Sequence, residues 1–281
     1  TGVLQADLAS RWGLPEVPVI AGAGDNAAGA IGVGLVEPGQ GMISLGTSGV
    51  YFVVTDQFSQ QAELAVHSFC HALPHRWHLM SVMLSAASCL EWFAKQIVEQ
   101  DIAQLLEQLE SYPLNLKTTP YFLPYLGGER TPYNDPLAQG AFIGLTHDSN
   151  KLDMLHAVLE GVCFAFADGV DALHQSGTKA TEITVIGGGA QSAYWRQLMS
   201  DVLNTKITFR QGGEVGAALG AARLAQLAIE PNVSIEHICP QPEAVQIHTP
   251  NTENQPVLKQ RRAAYMQAYP QLRTIFNKEI L

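Results

Sequence analysis

Three times along this chain a short apolar, β-branched run ends at a cluster of glycines and passes into a stretch of helical character. That alternation restricts the fold class more than any other feature. The first instance is Val17-Pro18-Val19-Ile20, then Ala21-Gly22-Ala23-Gly24, then residues 25–34, crowded with Ala27, Ala28, Gly29, Ala30 and Gly32. So many small residues lower helix propensity but let a neighbouring backbone come very close. The second is residues 183–186, Gly187-Gly188-Gly189, and residues 190–204, where Trp195, Leu198, Met199, Val202 and Leu203 recur at helical spacing. The third is residues 206–210, Gln211-Gly212-Gly213, and a helix through Ala217, Leu219, Ala222, Leu224 and Leu227. The pattern predicts an α/β fold in which the loops of a mostly parallel sheet gather at one edge.

Between the first and second instances the periodicity changes to that of β-hairpins. Residues 40–45 and 50–55 read as strands joined by Gly46-Thr47-Ser48-Gly49, and residues 65–73 and 77–83 as a second pair around Pro74-His75-Arg76. Helical stretches follow at 86–100 and 101–110, then a Pro/Gly/Tyr-rich loop over 120–140, a length usually associated with function. Residues 151–175 form the strongest helix, with Leu155, Leu159, Val162, Phe166, Val170 and Leu173 on one stripe, Ser149 or Asn150 as cap and Gly177 as stop. The segment 232–255 is polar and Pro-dotted and reads as a surface connection; a last helix from 257 carries Leu258, Tyr265, Leu272 and Phe276.

Composition removes several function classes. With 281 residues, a core can form without disulfide or metal staples. The formal charge is −10, and Lys and Arg form no run longer than Arg261-Arg262, which disfavours binding to nucleic acid. The longest stretch without charged residues, 38–55, is broken by Pro38 and four glycines and predicts no membrane span. Cys70, Cys89, Cys163 and Cys239 are scattered without a C-x-x-C pair, which suits a reduced, cytoplasmic setting. The chain begins Thr-Gly, and its 15% charged residues are few for a fully solvated surface, so the expectation is part of a longer protein with a face that another domain covers.

Gly22-Ala23-Gly24-Asp25-Asn26-Ala27 has the G-x-G-x-x-A spacing of a dinucleotide fingerprint. Asp25, however, would set a carboxylate against a pyrophosphate, and no acidic residue follows a second strand to hold a ribose. As an acid at a helix N-terminus Asp25 is instead a candidate general base, with a plain helix cap as the simpler reading. Gly46-Thr47-Ser48-Gly49 has the makings of an anion nest or of a plain hairpin turn. Gly187-Gly188-Gly189-Ala190 lets a nucleotide lie against bare backbone, or serves close packing of strand on helix. Together the three loops suggest a nucleotide and its phosphates. His67, Cys70, His71, His75 and His78 lack zinc-site spacing and read as hairpin histidines with their hydrogen bonds satisfied. Glu129-Arg130 reads by default as a solvated loop pair.

With these loops in order, the chain resembles the C-terminal domain of the FGGY-family carbohydrate kinases. The resemblance rests on Ala21-Gly22-Ala23-Gly24-Asp25-Asn26-Ala27-Ala28-Gly29, Ser44-Leu45-Gly46-Thr47-Ser48-Gly49-Val50, Ser68-Phe69-Cys70-His71-Ala72-Leu73-Pro74, Gly128-Glu129-Arg130-Thr131-Pro132 and Ile186-Gly187-Gly188-Gly189-Ala190. It also rests on the signature from Gly140-Ala141-Phe142-Ile143-Gly144-Leu145 to Asp153-Met154-Leu155-His156-Ala157-Val158-Leu159-Glu160.

The resemblance implies an actin-like, ribonuclease H-like ATPase fold with a hairpin-rich insert, the C-terminal half of a two-domain sugar kinase that uses ATP and Mg²⁺. It implies Asp25 as the base that takes the sugar hydroxyl proton and Asn26 as its neighbour on the sugar. Gly46, Thr47 and Ser48 would meet the phosphates, while Gly187, Gly188, Gly189, Ala190 and the bend at Ala86 would line the nucleotide site. Within the family the similarity points to D-xylulose as acceptor, with another ketopentose or a polyol as alternative. It places Mg²⁺-associated groups and most sugar contacts in an N-terminal domain absent from these residues, so this chain alone should be inactive. A non-enzymatic actin-like nucleotide switch and a dinucleotide-binding oxidoreductase stay open as rival classes, as does a homodimer.

Overall fold

In the computed structural model, which describes residues 2–212 and 216–276, strand β1 (Gly2–Val3), helix α1 (Ala6–Trp12) and strand β2 (Pro18–Val19) come first. They precede α2 (Asp25–Gly32), β3 (Gln40–Leu45), β4 (Gly49–Thr55), β5 (His67–Cys70) and β6 (Trp77–Met83). Then come α3 (Ala87–Trp92), a π-helical turn over Phe93–Ile97, α4 (Ile102–Glu110), β7 (Tyr121–Leu123), β8 (Ala141–Ile143) and α5 (Lys151–His174). The remainder is β9 (Glu182–Ile186), α6 (Ala193–Leu203), β10 (Ile207–Arg210), α7 (Gly216–Ile229), α8 (Ile235–Ile238), β11 (Ala244–His248) and α9 (Gln255–Phe276).

Seven strands form one sheet in the order β11-β10-β9-β3-β4-β6-β5. The sheet is mixed, not mostly parallel. Only β3–β9 and β9–β10 run parallel, while β3–β4, β4–β6, β5–β6 and β10–β11 are antiparallel. The reason is connectivity: β3–β4 and β5–β6 are hairpins, residues 56–66 carry the chain from β4 past the place of β6 to β5, and α6 supplies the crossover from β9 to β10. The run at 17–20 also departs from expectation, because β2 pairs antiparallel with β1 and lies outside the seven-stranded sheet. The polar segment 232–255 contributes α8 and the edge strand β11, so it is more than a connection. The expected helix at 190–204 begins only at Ala193, where Ser192 Oγ accepts the Trp195 N–H, and the helix at 86–100 gives way to the π turn. Gln211 and Gly212 form a turn as expected; Gly213 lies outside the described residues.

Strand alternation sorts the core into two layers. Met42, Val50, Phe52, Val54 and Met80 pack with Ala30, Val33 and Leu35 from α2 and the chain after it. Ile43, Tyr51 and Val53 pack on the other side with Leu159, Val162 and Phe166 of α5 and Trp195 of α6. Helix α5 starts in a complete capping box, Asn150 with Asp153. It is tied to α9 by a buried ion pair in which Arg261 donates Nε–H to Glu160 Oε1 at 2.7 Å and Nη2–H to Oε2 at 2.5 Å. Burial opposes the charge on Glu160, but Arg261 and His156 outweigh it and hold the carboxyl below the usual range.

Helix α2 is held by α7 at near backbone contact. A Cβ on Gly220 would lie 1.7 Å from the Ala28 carbonyl oxygen, and one on Gly32 would lie 1.8 Å from that of Gly216. Gly220→Ala therefore forces the helices apart, at a cost of about 3 kcal/mol. Thermal unfolding should show a midpoint lower by roughly 6–12 °C; an unchanged midpoint would mean the two helices are not in this contact. Among the described residues no helix is long and apolar enough to cross a membrane.

Candidate active site

The parallel register of β3 on β9, with Ser44 opposite Ile186, brings two glycine loops side by side at the ends of the strands. Gly187 has φ +93°, and a Cβ there would lie 2.8 Å from the Leu45 carbonyl group, so only glycine fits. The loop at Gly46 and Thr47 is clamped by the entrance to α3. Ala87 N–H donates to Gly46 O at 2.8 Å and Ala86 N–H to Thr47 O at 2.9 Å, while Ser88 Oγ–H donates to Thr47 O at 2.8 Å. Gly46, Thr47, Gly188 and Gly189 then line a cavity of 480 Å³ with Ala87, Ser88, Leu90, Glu91 and Ile102.

Three expected site residues sit differently. Ala86 is fully buried, its methyl against the position a Gly49 side chain would take, and its neighbours Ala87 and Ser88 line the cavity instead. Ala190 is also fully buried, and its carbonyl accepts a hydrogen bond from Arg196 Nη1. Ser48 is exposed at the tip of its turn.

Asp25 occupies the first turn of α2, with Gly24 in the N-cap position, and is exposed. Its Oδ1 accepts the Asn26 N–H at 2.9 Å and the Asn26 side-chain amide at 3.3 Å, so the two residues act as one polar unit. Two cavities meet at this pair. One, of 230 Å³, reaches Ser44, Gly187 and Gly216; the other, of 630 Å³, runs from Gly22, Ala23 and Gly24 to Phe69, Cys70, His71, His78 and Met80. Asp25 and Asn26 thus stand between a large acceptor-sized cavity and the glycine loops. The dinucleotide reading loses its context here, since Gly22-x-Gly24 follows a strand that is not part of the main sheet.

Two sequence expectations fail for the same reason, burial. Glu129 is 2% exposed, not solvated, and its Oε1 accepts the Leu84 N–H at 3.2 Å and the Arg130 N–H at 2.7 Å. Burial pushes its carboxyl up to about 8, against these two backbone hydrogen bonds. Thr131 beside it is stitched to the end of β6, donating its N–H to Val82 O and accepting the Val82 N–H, both at 3.0 Å. Two histidines of the second hairpin, His71 and His78, are likewise buried without being fully satisfied: His71 Nε2 and His78 Nδ1 have no well-formed hydrogen bond among the described residues. Phe69, Cys70, His71 and His78 were not among the expected site residues, although the conjunction of Phe, Cys and His on one strand with a following His was visible.

Comparison with known proteins agrees with this geometry. Residues 41–229 match the model of the FGGY family of carbohydrate kinases, C-terminal domain. Over 272 residues, 97% of this chain, the sequence is 50% identical to the xylulose kinase of Escherichia coli strain K12, covering 56% of that protein. It is 51% identical over 82% of the chain to the xylulose kinase of Klebsiella pneumoniae, covering 47% of it. A solved xylulose kinase structure from Brucella ovis superposes with a TM-score of 0.91 at 42% identity, over 98% of this chain and 56% of that one. The chain therefore spans about half the length of the curated relatives it matches. Its structural neighbours are sugar kinases with an actin-like ATPase fold. On the family match, the identities and the shared fold, this chain belongs to the FGGY family of carbohydrate kinases.

Proposed function

We propose that residues 1–281 are the C-terminal, nucleotide-binding domain of a cytoplasmic kinase that transfers the γ-phosphoryl group of ATP to D-xylulose, giving D-xylulose 5-phosphate and ADP. The observation that carries this reading is the position of Asp25, which lines both the 630 Å³ cavity and the smaller one that continues to Gly187. In this reading Asp25 takes the proton from the acceptor hydroxyl as that oxygen bonds to the γ-phosphorus and the bond to ADP breaks. Asn26 fixes the carboxylate and reaches the sugar. The loops at Gly46-Thr47-Ser48 and Gly187-Gly188-Gly189 seat the phosphates and adenosine against backbone, so that this domain supplies positioning and one base.

Mg²⁺ enters as part of the metal–nucleotide substrate. The reading places the acidic group associated with the ion in the N-terminal domain. An N-terminal domain supplies the opposite wall of the cleft, and the exposed Val3, Trp12, Leu14, Val17 and Val19 suit a face that such a domain covers.

The test is ADP release by the complete kinase with D-xylulose, D-ribulose, L-ribulose, glycerol and gluconate in parallel. Turnover selective for D-xylulose, and none from residues 1–281 alone, is the expected result. Selectivity for another sugar would keep the chemistry and replace the substrate; turnover by the isolated chain would remove the two-domain requirement.

A further inference from the structure

His71 and His78 are buried polar residues that line the cavity beside Asp25 and that the proposed mechanism leaves unused. They are 6% and 3% exposed, and both line the same 630 Å³ cavity as Asp25. Nδ1 of His71 accepts the Leu73 N–H at 3.2 Å, which leaves the ring proton on Nε2, facing the Leu35 backbone without a well-formed hydrogen bond among the described residues. Nδ1 of His78 has none either. Buried polar groups are paired in the great majority of cases, so two such atoms on one cavity wall need an explanation. Phe52 holds both rings still, stacking on His78 at 4.5 Å between centroids and meeting the edge of His71 at 6.0 Å. Phe69, 48% exposed, adds an open aromatic face to the cavity.

We infer that His71 and His78 are specificity-determining groups of the acceptor site, neutral imidazoles that hydrogen-bond the hydroxyls of an uncharged sugar while Phe69 covers its apolar face. The inference rests on the kinase reading above. Burial, with repulsion from His78 and Arg76 and against a weaker backbone interaction with Leu35, lowers His71 to about 4, and burial lowers His78 to about 4, so both rings stay uncharged at neutral pH. Among the described residues, the only charged one lining the cavity is Asp25. A site with neutral donors and one carboxylate favours hydroxyl groups and disfavours sugar acids and sugar phosphates.

The test is steady-state kinetics of the complete kinase carrying His71→Asn or His71→Gln. Asparagine keeps an acceptor for the Leu73 N–H but removes the group at Nε2, whereas glutamine restores a polar atom there. The expected result for His71→Asn is a KM for the sugar raised about 3- to 30-fold with the KM for ATP unchanged. In His71→Gln the increase is smaller. Cys70, exposed in the same cavity, gives a second readout on the unaltered protein: D-xylulose should slow its alkylation by iodoacetamide. An unchanged KM for the sugar with a lowered thermal midpoint, or alkylation indifferent to the sugar, overturns the inference while the kinase reading stands. Absence of turnover by the unaltered kinase overturns both.

Discussion

Replacing Asp25 by Asn is expected to lower turnover by the complete kinase about 100- to 10,000-fold, the range for loss of a positioned general base, with ATP affinity unchanged. The substitution is well suited to isolating chemistry from structure. Asp25 is exposed, forms no ion pair among the described residues, and accepts hydrogen bonds only from Asn26, which an Asn side-chain oxygen at position 25 can still accept. Its contribution to stability should therefore stay within about 0.5 kcal/mol, as for surface positions generally. The ATP loops are clamped by other residues, Ala86, Ala87 and Ser88 on one side and Gly187 on the other, so nucleotide affinity has no reason to change. Nucleotide titration and single-turnover phosphoryl transfer check the two halves separately. Retained turnover would argue against the base, and a nucleotide-driven conformational change that survives without any transfer in the unaltered protein would favour the switch class.

Glu129→Gln should stabilise the protein at alkaline pH. In an unfolded chain this carboxyl titrates near 4.5, whereas burial in the fold raises it to about 8. Between those values the folded state holds a proton that the unfolded chain has lost, so stability is greatest at low pH, falls as pH rises through the window, and levels off above about 8. The full excursion is on the order of 5 kcal/mol. Glutamine keeps the oxygen that accepts the Leu84 and Arg130 N–H groups and cannot ionise. Asp168, raised to about 6 by burial with Arg262 opposing, titrates lower and leaves the upper part of the window to Glu129. Thermal midpoints should diverge between pH 5 and 8, the variant ending roughly 10–20 °C above the unaltered protein. Parallel curves would show that Glu129 does not carry this proton in the fold.

What could be read from the sequence was local. The hairpins around Gly46 and Pro74 were signalled by period-two alternation and turn residues, and the long central helix by its apolar stripe and the Asn150 cap; the structure has all three. What could not be read depends on partners distant in sequence. Strand β11 alternates weakly over five residues, and its pairing with β10 across more than 30 positions leaves no local trace. The direction of each strand in the sheet follows from connections, and glycine-rich bends alone do not record them. Glu129 and His71 look like surface residues because their types usually are; only the packing of the 120–140 loop against β6, and of Phe52 against the histidines, takes them out of water. The candidate site shows the same division. Asp25 and the glycine loops announce themselves by spacing, whereas the wall formed by Phe69, His71 and His78 exists only once two hairpins share a sheet.

The region matching the family model stops at residue 229, yet cohesion does not stop there. Arg196, whose guanidinium holds the Ala190 carbonyl, is itself held by Gln246 and His248 of β11, and Glu160 is neutralised by Arg261 of α9. A piece cut after residue 229 would keep every glycine loop but strand a buried carboxylate and leave β10 as a raw edge. Inheritance and mechanical integrity have different borders in this domain: the family match ends at residue 229, and part of the brace that holds the matched region is written after it.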